Sequence, residues 1–507
     1  MSFLKLLSSF KKEFQKHRLH YLVLFILLSA AFFVRIYRTD MLLRFYYDQG
    51  RDALVIKKMI ETPKPVLVGP TTGLEGIMRG PIFYYILLPG YLIGQGSPIV
   101  ATIWLQLIYL IGLIFTYLSA REIFSKFAGL LVVFLIGFSN NLVSNYRWLS
   151  EPSLTFILVP VMLYGLLQII KKKNTQIWWP TVALMLGLNL HAEIASGLWF
   201  VPALFLFFLL YKKIRPTLKE FIISSGVFLS TLLPQVIFDF RHDHIMWKAF
   251  RKHFTESNQS SFLFDKLKII ERFNLFVDTF SNILVERQHW LIYLLLFITP
   301  LLYFLSKKFR QPQKILLLFL LFIPLVVLTF YQGNSGNFYS YYLITLYPIF
   351  IILVAGVLSY LVKKPPLFVI PLVFLFIFVK SNFILVKNFL IAGVDGPEHV
   401  SLGNQIQAID WIYQQAGDIP FNVDAYVPPV IPHSYDYLVP WYGQKNYGKT
   451  PVKERVDLLF TLNEIDTQHP QFLEDWFERQ AGIGEVLDKV QYGGVRVQKR
   501  KRIIYED

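Results

Sequence analysis

The chain has 507 residues, of which 54% are hydrophobic, and its mean hydropathy is +0.46. A soluble domain contains about 45–50% apolar residues, and here the excess lies in long uncharged runs, which excludes an ordinary soluble protein. The chain has no cysteine, which excludes disulfides, zinc–thiolate centres and a cysteine nucleophile. Its net charge of +16 comes from short basic loops, a distribution that argues against a nucleic-acid partner.

Apolar runs long enough to cross a bilayer recur from the N-terminal region to residue 385. Lysine and arginine clusters in the short loops between them predict the cytoplasmic side, with two spans between successive clusters. The first run has no small-residue cleavage site, so we predict a retained helix rather than a signal peptide. The predicted spans are 19–36, 98–120, 127–143, 152–170, 176–190, 195–211, 220–237, 289–305, 315–331, 341–361 and 366–385.

One further apolar run, residues 81–94, does not fit this pattern. Counting it as a span would place the later lysine clusters on the outer side of the membrane. It is also short, and it contains Pro81, Pro89 and Gly90. We therefore predict a helix that lies along the outer surface of the membrane.

The charge pattern predicts a multi-pass protein of the cell membrane with a cytoplasmic N-terminus. Its transmembrane domain is predicted to cover residues 1–385, with outer loops at 37–97 and 238–288. The polar residues 386–507 are predicted to form a small extracytoplasmic α/β domain. In it, the spacing of Ser401–Gln415 predicts a helix, and the runs 421–427 and 494–498 predict strands.

The first outer loop carries charged residues close to the predicted membrane surface. Asp48 and Asp52 would share one face of a helix over Gln49–Ile60, with Arg51 pointing elsewhere. Alternatively, Asp48 is only the N-cap of a surface helix. At the end of the loop, Arg79 is placed to meet a phosphate or, alternatively, to snorkel at the level of the head groups.

The later outer segments add further polar residues. Arg147 and Glu151 lie in a polar stretch between two spans, where Arg147 is either functional or an interfacial anchor. His191 and Glu193 flank one alanine, and two ligands are too few for a metal site, so a divalent metal is not supported. Tyr341 begins a span, where tyrosines are typical of an aromatic belt.

In order along the chain, these segments resemble GT-C glycosyltransferases, and most closely the bacterial relatives of protein O-mannosyltransferases and lipid A aminoarabinose transferases (family 39-like). Tyr47–Ala53 resembles the Asp-Glu-x-Arg-x-Ala pattern of that family's first loop, and Gly80–Tyr85 resembles its Lys-Pro-Pro-Leu-Phe-Tyr stretch, with Arg79 on the lysine. Tyr146–Leu154 resembles the family's second-loop segment, in which an arginine precedes an acidic residue, here Arg147 and Glu151. Tyr341–Pro348 resembles the tyrosine-rich start of a late span in the family.

The chain departs from the family pattern at two positions. Gln49 replaces the acidic residue that follows the first aspartate, which weakens any metal-dependent variant of the chemistry. Glu151 stands where the family often has aspartate.

The resemblance implies an all-α polytopic membrane protein of GT-C type. Its implied activity is the inverting transfer of a hexosyl or pentosyl group from a polyprenyl-phosphate donor to a lipid, glycan or protein acceptor, without a required cofactor. Asp48 is implied as the base, and Arg51, Arg79 and Arg147 as the groups that bind the donor phosphate. The residues implied to orient the sugar or the acceptor are Asp52, Glu151, His191, Glu193, Tyr341 and Tyr342.

Three other functions compete with glycosyl transfer. A lipid-linked glycan flippase or transporter would favour inverted repeats and ionisable residues within broken helices, and the sequence shows neither. An enzyme similar to O-antigen ligases would concentrate arginines in a late outer loop, and the loop 238–288 keeps this alternative open. A membrane scaffold without activity would leave the clustering of polar residues on one face unexplained.

Overall fold

A computed structural model describes residues 13–252, 266–286, 288–290, 292–293, 311–331, 337–428 and 431–503. Its helices are α1 (Arg18–Ile36), α2 (Thr39–Leu42), α3 (Tyr47–Glu61), α4 (Ile82–Ile93), α5 (Pro98–Ile123), α6 (Lys126–Phe138), α7 (Asn140–Arg147), α8 (Thr155–Ile170), α9 (Thr175–Ala192), α10 (Ile194–Gly197), α11 (Phe200–Leu210), α12 (Leu218–Arg241), α13 (Ile245–Arg251), α14 (Lys266–Leu284), α15 (Pro312–Phe330), α16 (Tyr347–Leu361), α17 (Val369–Ile391), α18 (Leu402–Ala416), α19 (His433–Tyr447) and α20 (Pro470–Gln480). Three 3₁₀ helices cover Glu151–Leu154, Lys212–Ile214 and Ser340–Leu346.

Within these residues, seven helical segments are long and apolar enough to cross a membrane, or eight if the bent pair α6–α7 is one span. The predicted multi-pass architecture is therefore confirmed, whereas the count of eleven is not. Helix α9 coincides with the predicted span 176–190 but is not one of the seven. Most of the predicted span 289–305 lies outside the described residues.

Two of the predicted spans are not single continuous helices. The helices α6 and α7 meet at 70°, because Ser139 leaves the helical conformation and its hydroxyl oxygen accepts from the Leu142 N–H at 3.3 Å, which caps α7. The predicted span 195–211 likewise divides into α10 and α11. In the predicted loop 238–288, α12 continues to Arg241 and is followed by α13 and α14.

Helix α4 is the apolar run that was predicted to lie along the membrane surface. Its 12 residues span only about 18 Å, which is too short for a hydrocarbon core of about 30 Å. The Trp104 indole of α5 donates to the Ile86 carbonyl at 2.8 Å, so α4 packs against the start of a long apolar helix.

The C-terminal residues form a four-stranded sheet with helices, as the predicted α/β composition requires. Strands β1 (Phe421–Tyr426), β2 (Leu458–Glu464), β3 (Gly484–Tyr492) and β4 (Val495–Arg502) lie in the order β1-β2-β4-β3. The β1–β2 pair is parallel and the other pairs are antiparallel. Helix α19 connects the parallel strands, so β1, α19 and β2 form a βαβ unit.

This C-terminal segment is hydrogen-bonded to the first loop. The Leu402 N–H donates to the Leu43 carbonyl at 2.8 Å, and the Gln405 amide donates to the Phe45 carbonyl at 3.0 Å. From α19, the Tyr437 hydroxyl donates to the Gly96 carbonyl at 2.5 Å. These bonds hold the sheet and its helices against the segment that carries Asp48.

Candidate functional site

Helix α3 is fixed by Gln49, the residue that departs from the family pattern. The Gln49 side-chain oxygen accepts from the Tyr46 N–H at 3.0 Å, and its amide donates to the Leu149 carbonyl at 3.0 Å. The helix therefore starts at Tyr47, earlier than predicted, and Asp48 lies in its first turn rather than at its N-cap. Gln49 is buried, and it ties the first loop to the segment before Glu151.

Arg51 lies at the centre of an ionic group that we call the Arg51 cluster, which consists of Asp48, Arg51, Asp52 and Glu151. The guanidinium lies 2.8 Å from the Asp48 carboxylate and 2.8 Å from the Asp52 carboxylate. Glu151 is 3.6 Å away, from a distant part of the sequence. The prediction that Arg51 points away from the two aspartates was wrong, because residues three apart are neighbours on a helix and a long side chain also reaches the adjacent residue.

The three carboxylates of the cluster differ in accessibility. The Asp48 side chain is 50% exposed, whereas those of Asp52 and Glu151 are only 3% and 6% exposed. Burial, and then the neighbouring Glu151 carboxylate, raise the pKa of Asp52 well above its usual value. Burial alone would lower the pKa of Arg51, but Asp52, Glu151 and Asp48 outweigh it and raise that pKa. Only Asp48 thus presents a carboxylate to solvent.

A second ionic group, which we call the Arg79 pair, joins Arg79 and Glu193. Their side chains lie 3.4 Å apart and are 11% and 1% exposed. Arg79 also donates to the Ala192 carbonyl, and Glu193 accepts from the Ala195 N–H at 3.0 Å as the N-cap of α10. Burial raises the pKa of Glu193, although Arg79 acts in the opposite direction.

His191 packs beside this pair. Its ring lies so close to Gly80 that a Cβ atom at residue 80 would be 2.2 Å from it, so only glycine fits there. The imidazole Nε2 lies 2.8 Å from the Thr231 carbonyl oxygen. These contacts pack His191 against the backbone of Gly80, next to Arg79.

The Arg79 pair lines a cavity of about 180 Å³ that has mainly apolar walls. Tyr342 also lines it, together with apolar side chains such as Leu198 and Trp199. Tyr341 packs against Tyr342 and, edge-on, against Trp148, which lies in the polar stretch that contains Arg147 and Glu151. A buried cation among apolar walls is suited to a phosphate that carries an apolar chain.

The Glu151 carboxylate acts electrostatically on the arginine of each ionic group. Its carboxylate contributes to the raised pKa of Arg51, after the effects of burial and Asp52. Burial alone would lower the pKa of Arg79, but Glu193 and then Glu151 outweigh burial and raise it. Both guanidinium groups therefore lie within electrostatic range of Glu151.

Within the described part of the chain, Arg147 makes no hydrogen bond or ion pair with either ionic group. One of its guanidinium nitrogens donates to the carbonyls of Val34, Arg35 and Tyr37 at 2.9–3.2 Å. These are the carbonyl groups at the end of α1, which have no partner within the helix. Arg147 thus caps the first long helix, and its predicted role at the donor phosphate gains no support from these contacts.

Two site neighbours were not found from the sequence. The Tyr84 hydroxyl lies 3.4 Å from the Asp52 carboxylate, and its position in the stretch Gly80–Tyr85 was a usable signal. The His433 ring lies 4.9 Å from the Tyr47 ring, but nothing in the local sequence links residues so far apart. In the described part of the chain, no group of three His, Asp or Glu side chains is arranged to hold a metal ion.

Comparisons with known proteins agree with this architecture. Residues 78–238 match the family described as dolichyl-phosphate-mannose-protein mannosyltransferase. ArnT from Cupriavidus metallidurans, in a structure bound to undecaprenyl phosphate, has a TM-score of 0.58 and 11% identity over 94% of this chain and 97% of that chain. The apo state of ArnT has a TM-score of 0.59, also at 11% identity over 94% of this chain and 97% of that chain.

A more distant likeness is to the oligosaccharyltransferase of Archaeoglobus fulgidus in its apo form. It has a TM-score of 0.50 and 12% identity over 84% of this chain and 64% of that chain. No curated protein sequence matches this chain significantly. The protein therefore has the GT-C fold and is similar to ArnT and to the protein mannosyltransferases.

Proposed function

We propose that this protein is a membrane glycosyltransferase that moves a hexosyl or pentosyl group from a polyprenyl-phosphate donor to an acceptor at the extracytoplasmic face. The observation that carries the proposal is the Arg79 pair in an apolar-walled cavity, together with the Glu151 carboxylate, which contacts Arg51 and contributes to the raised pKa of both Arg51 and Arg79. The ArnT structure with undecaprenyl phosphate supports a donor of this class. The protein would lie in the cell membrane with its N-terminus cytoplasmic.

The phosphate of the donor would lie against Arg79. When the bond between the anomeric carbon and the phosphate oxygen breaks, the oxygen keeps the electron pair and negative charge develops on it. A guanidinium binds phosphate oxygens through two parallel hydrogen bonds and stabilises that charge. The apolar walls beside it, including Leu198 and Trp199, would accept the first part of the prenyl chain.

Asp48 would act as the general base. The acceptor hydroxyl or amine gives its proton to the carboxylate and attacks the anomeric carbon from the face opposite the phosphate, which inverts the configuration. Asp48 suits this role because an acceptor can reach it, whereas Asp52 and Glu151 are buried. Arg51 was predicted to bind phosphate, but its contacts with three carboxylates favour a role in orienting Asp48.

The remaining predicted residues would shape the sugar site. Asp52 and Glu151 hold Arg51, Glu193 holds Arg79, and Tyr342 lines the cavity. Because Arg51 lies where a cation would otherwise neutralise the carboxylates, we propose a reaction that needs no divalent metal. The acceptor would be a lipid, glycan or protein, and no nucleic acid is involved.

The experiment is a transfer assay with purified protein in liposomes. The donors are undecaprenyl-phosphate sugars with a radiolabelled sugar, and the acceptors are extracted envelope lipids, glycans and proteins. Asp48→Asn should lower the rate about 10²–10⁴-fold while the protein stays folded, because a partly exposed base is lost. Glu61→Gln, at an exposed carboxylate of the same helix, is the matched control and should transfer normally. Full activity of Asp48→Asn would remove Asp48 from the mechanism.

A further inference from the structure

A cavity with a volume of about 900 Å³ lies in the C-terminal segment, at the carboxyl end of strand β1. Helices α19 and α20 and the residues near Pro451 form its other walls. In sheets with parallel strands, ligands commonly bind where those strands end. Its volume is within the range of sites that enclose small ligands.

Aromatic rings and charges of both signs line this cavity, which we call the sheet-end groove. The rings belong to Tyr426, Phe472 and Trp476. The lining also contains three carboxylates, from Asp424, Asp436 and Asp475. Two cations, from Lys453 and Arg479, partly balance their charge. A nearly balanced set of donors and acceptors favours a neutral ligand with many hydroxyl groups, and ring faces suit the C–H faces of a sugar.

The polar lining is partly organised in advance. The Gln480 amide donates to the Asp424 carboxylate at 2.5 Å, and Arg479 lies 3.8 Å from the same carboxylate. The Trp476 side chain is buried, and its indole nitrogen has no hydrogen-bond partner among the described residues. Asp475, by contrast, is exposed and open to a ligand.

A chain of contacts links the groove to helix α3, which carries Asp48. Asp436 of the groove lies 3.5 Å from the His433 imidazole, whose ring lies 4.9 Å from that of Tyr47, the residue before Asp48. At Gly50, a Cβ atom would be 2.3 Å from the Ser434 backbone nitrogen, so the start of α19 rests directly on helix α3. A ligand held in the groove is therefore held beside the helix of the proposed base.

We propose that the sheet-end groove binds a neutral oligosaccharide portion of the acceptor. This inference rests on the proposed function, because it assumes an acceptor that is glycosylated near Asp48. The groove is less suited to an extended peptide that would add to strand β1. The Val452 N–H already donates to the Phe421 carbonyl at 3.0 Å, and the Asn422 side chain binds the Val452 and Glu454 carbonyls, so the start of this edge is covered.

The test is saturation-transfer NMR with the full chain in detergent and no donor. The probes are mannotriose, maltotriose and chitotriose, with a Ser/Thr-rich peptide as the competing class. At least one trisaccharide should bind the wild-type protein. Phe472→Ala and Asp475→Asn, both at exposed lining residues, should weaken that binding about tenfold. Leu487→Ala and Asp488→Asn, at exposed residues of β3 outside the groove lining, are the matched controls.

The outcomes separate this inference from the proposed function. Arg79→Ala should bind the trisaccharide as the wild type does, and the groove variants should bind undecaprenyl phosphate normally. The glycan assignment is overturned if no trisaccharide binds, if the groove variants bind it unchanged, or if only the peptide binds in a groove-dependent way. If the wild-type protein does not bind undecaprenyl phosphate, that result would instead count against the proposed function.

Discussion

The two ionic groups of the site differ in their balance of charge. The Arg51 cluster sets three carboxylates against one guanidinium, and one of its carboxylates is half exposed. The Arg79 pair sets one carboxylate against one guanidinium and is almost fully enclosed. An excess of carboxylate suits proton removal and a cationic transition state, whereas an enclosed guanidinium suits an anionic leaving group. Under the proposed function, the Arg51 cluster would therefore provide the base and the Arg79 pair would bind the leaving group.

Removing the central cation of the first group should have the largest effect. Arg51→Met leaves the buried Asp52 and Glu151 without a cation, which should lower the free energy of unfolding by about 3–5 kcal/mol. Thermal unfolding in detergent measures this. The double variant Arg51→Met/Asp52→Asn should recover part of the loss, because it removes one of the two buried carboxyl groups that Arg51→Met leaves without a cation.

The matched control for that variant lies on the same helix. Lys57→Met removes an exposed cation that is 3.8 Å from Glu61, and exposed pairs contribute only about 0–1 kcal/mol. Equal destabilisation by Arg51→Met and Lys57→Met would show that the Arg51 cluster does not hold the loop.

Changing the cation of the second group should weaken donor binding and should also lower stability, because it leaves the buried Glu193 carboxylate without its cation. Arg79→Ala should weaken binding of undecaprenyl phosphate about 10–100-fold, because a charge-assisted hydrogen bond contributes about 1.5–3 kcal/mol. Arg79→Lys introduces the lysine of the Lys-Pro-Pro-Leu-Phe-Tyr stretch that this segment resembles. It keeps a positive charge at the site and should retain most of the affinity. Retention of radiolabelled lipid on the purified protein measures this, and an unchanged affinity of Arg79→Ala would remove it from the phosphate site.

The pH dependence of stability should distinguish Asp52 from an ordinary surface carboxylate. Its pKa in the folded protein is raised by burial and by Glu151, so above the usual value of 3.8 the folded state keeps a proton that the unfolded chain has released. The free energy of unfolding therefore falls as the pH rises through that raised pKa. Asp52→Asn has no such proton, so its stability relative to the wild type should increase from pH 4 to pH 8.

Melting temperatures in detergent across this range test the sign. Glu61→Gln, at an exposed position, should show little change between the two pH values. A relative stability of Asp52→Asn that decreases with pH would mean that the folded protein keeps Asp52 ionised through its contact with Arg51.

The smallest expected effect is that of metal removal. Transfer should continue at the same rate in EDTA, because Arg51 rather than a divalent cation neutralises the carboxylates. A loss of activity that Mg²⁺ or Mn²⁺ restores would contradict this prediction. It would indicate that a divalent cation binds at the Arg51 cluster even though Arg51 is present.

Much of the site was accessible from sequence because its residues lie in short segments of the first and second loops. Asp48, Arg51 and Asp52 occupy one helix, and the structure brings them together with Glu151. The relation of Arg79 to Glu193 could not be predicted, because 114 positions separate them and a helix packing contact brings them together. The contact of Arg147 with the end of α1 could not be predicted either, because more than 100 positions separate Arg147 from the carbonyl groups to which it donates.

The sequence by itself determined that this is a multi-pass membrane protein with charged loops and a polar α/β segment at its C-terminus. Those properties depend on composition and periodicity along the chain, which hydrophobicity and positive charge make visible residue by residue. Only the tertiary structure decided which guanidinium meets which carboxylate, where the long helices bend, and that α19 rests on Gly50. Such contacts depend on the packing of helices that are remote in sequence, and local patterns carry no record of that packing.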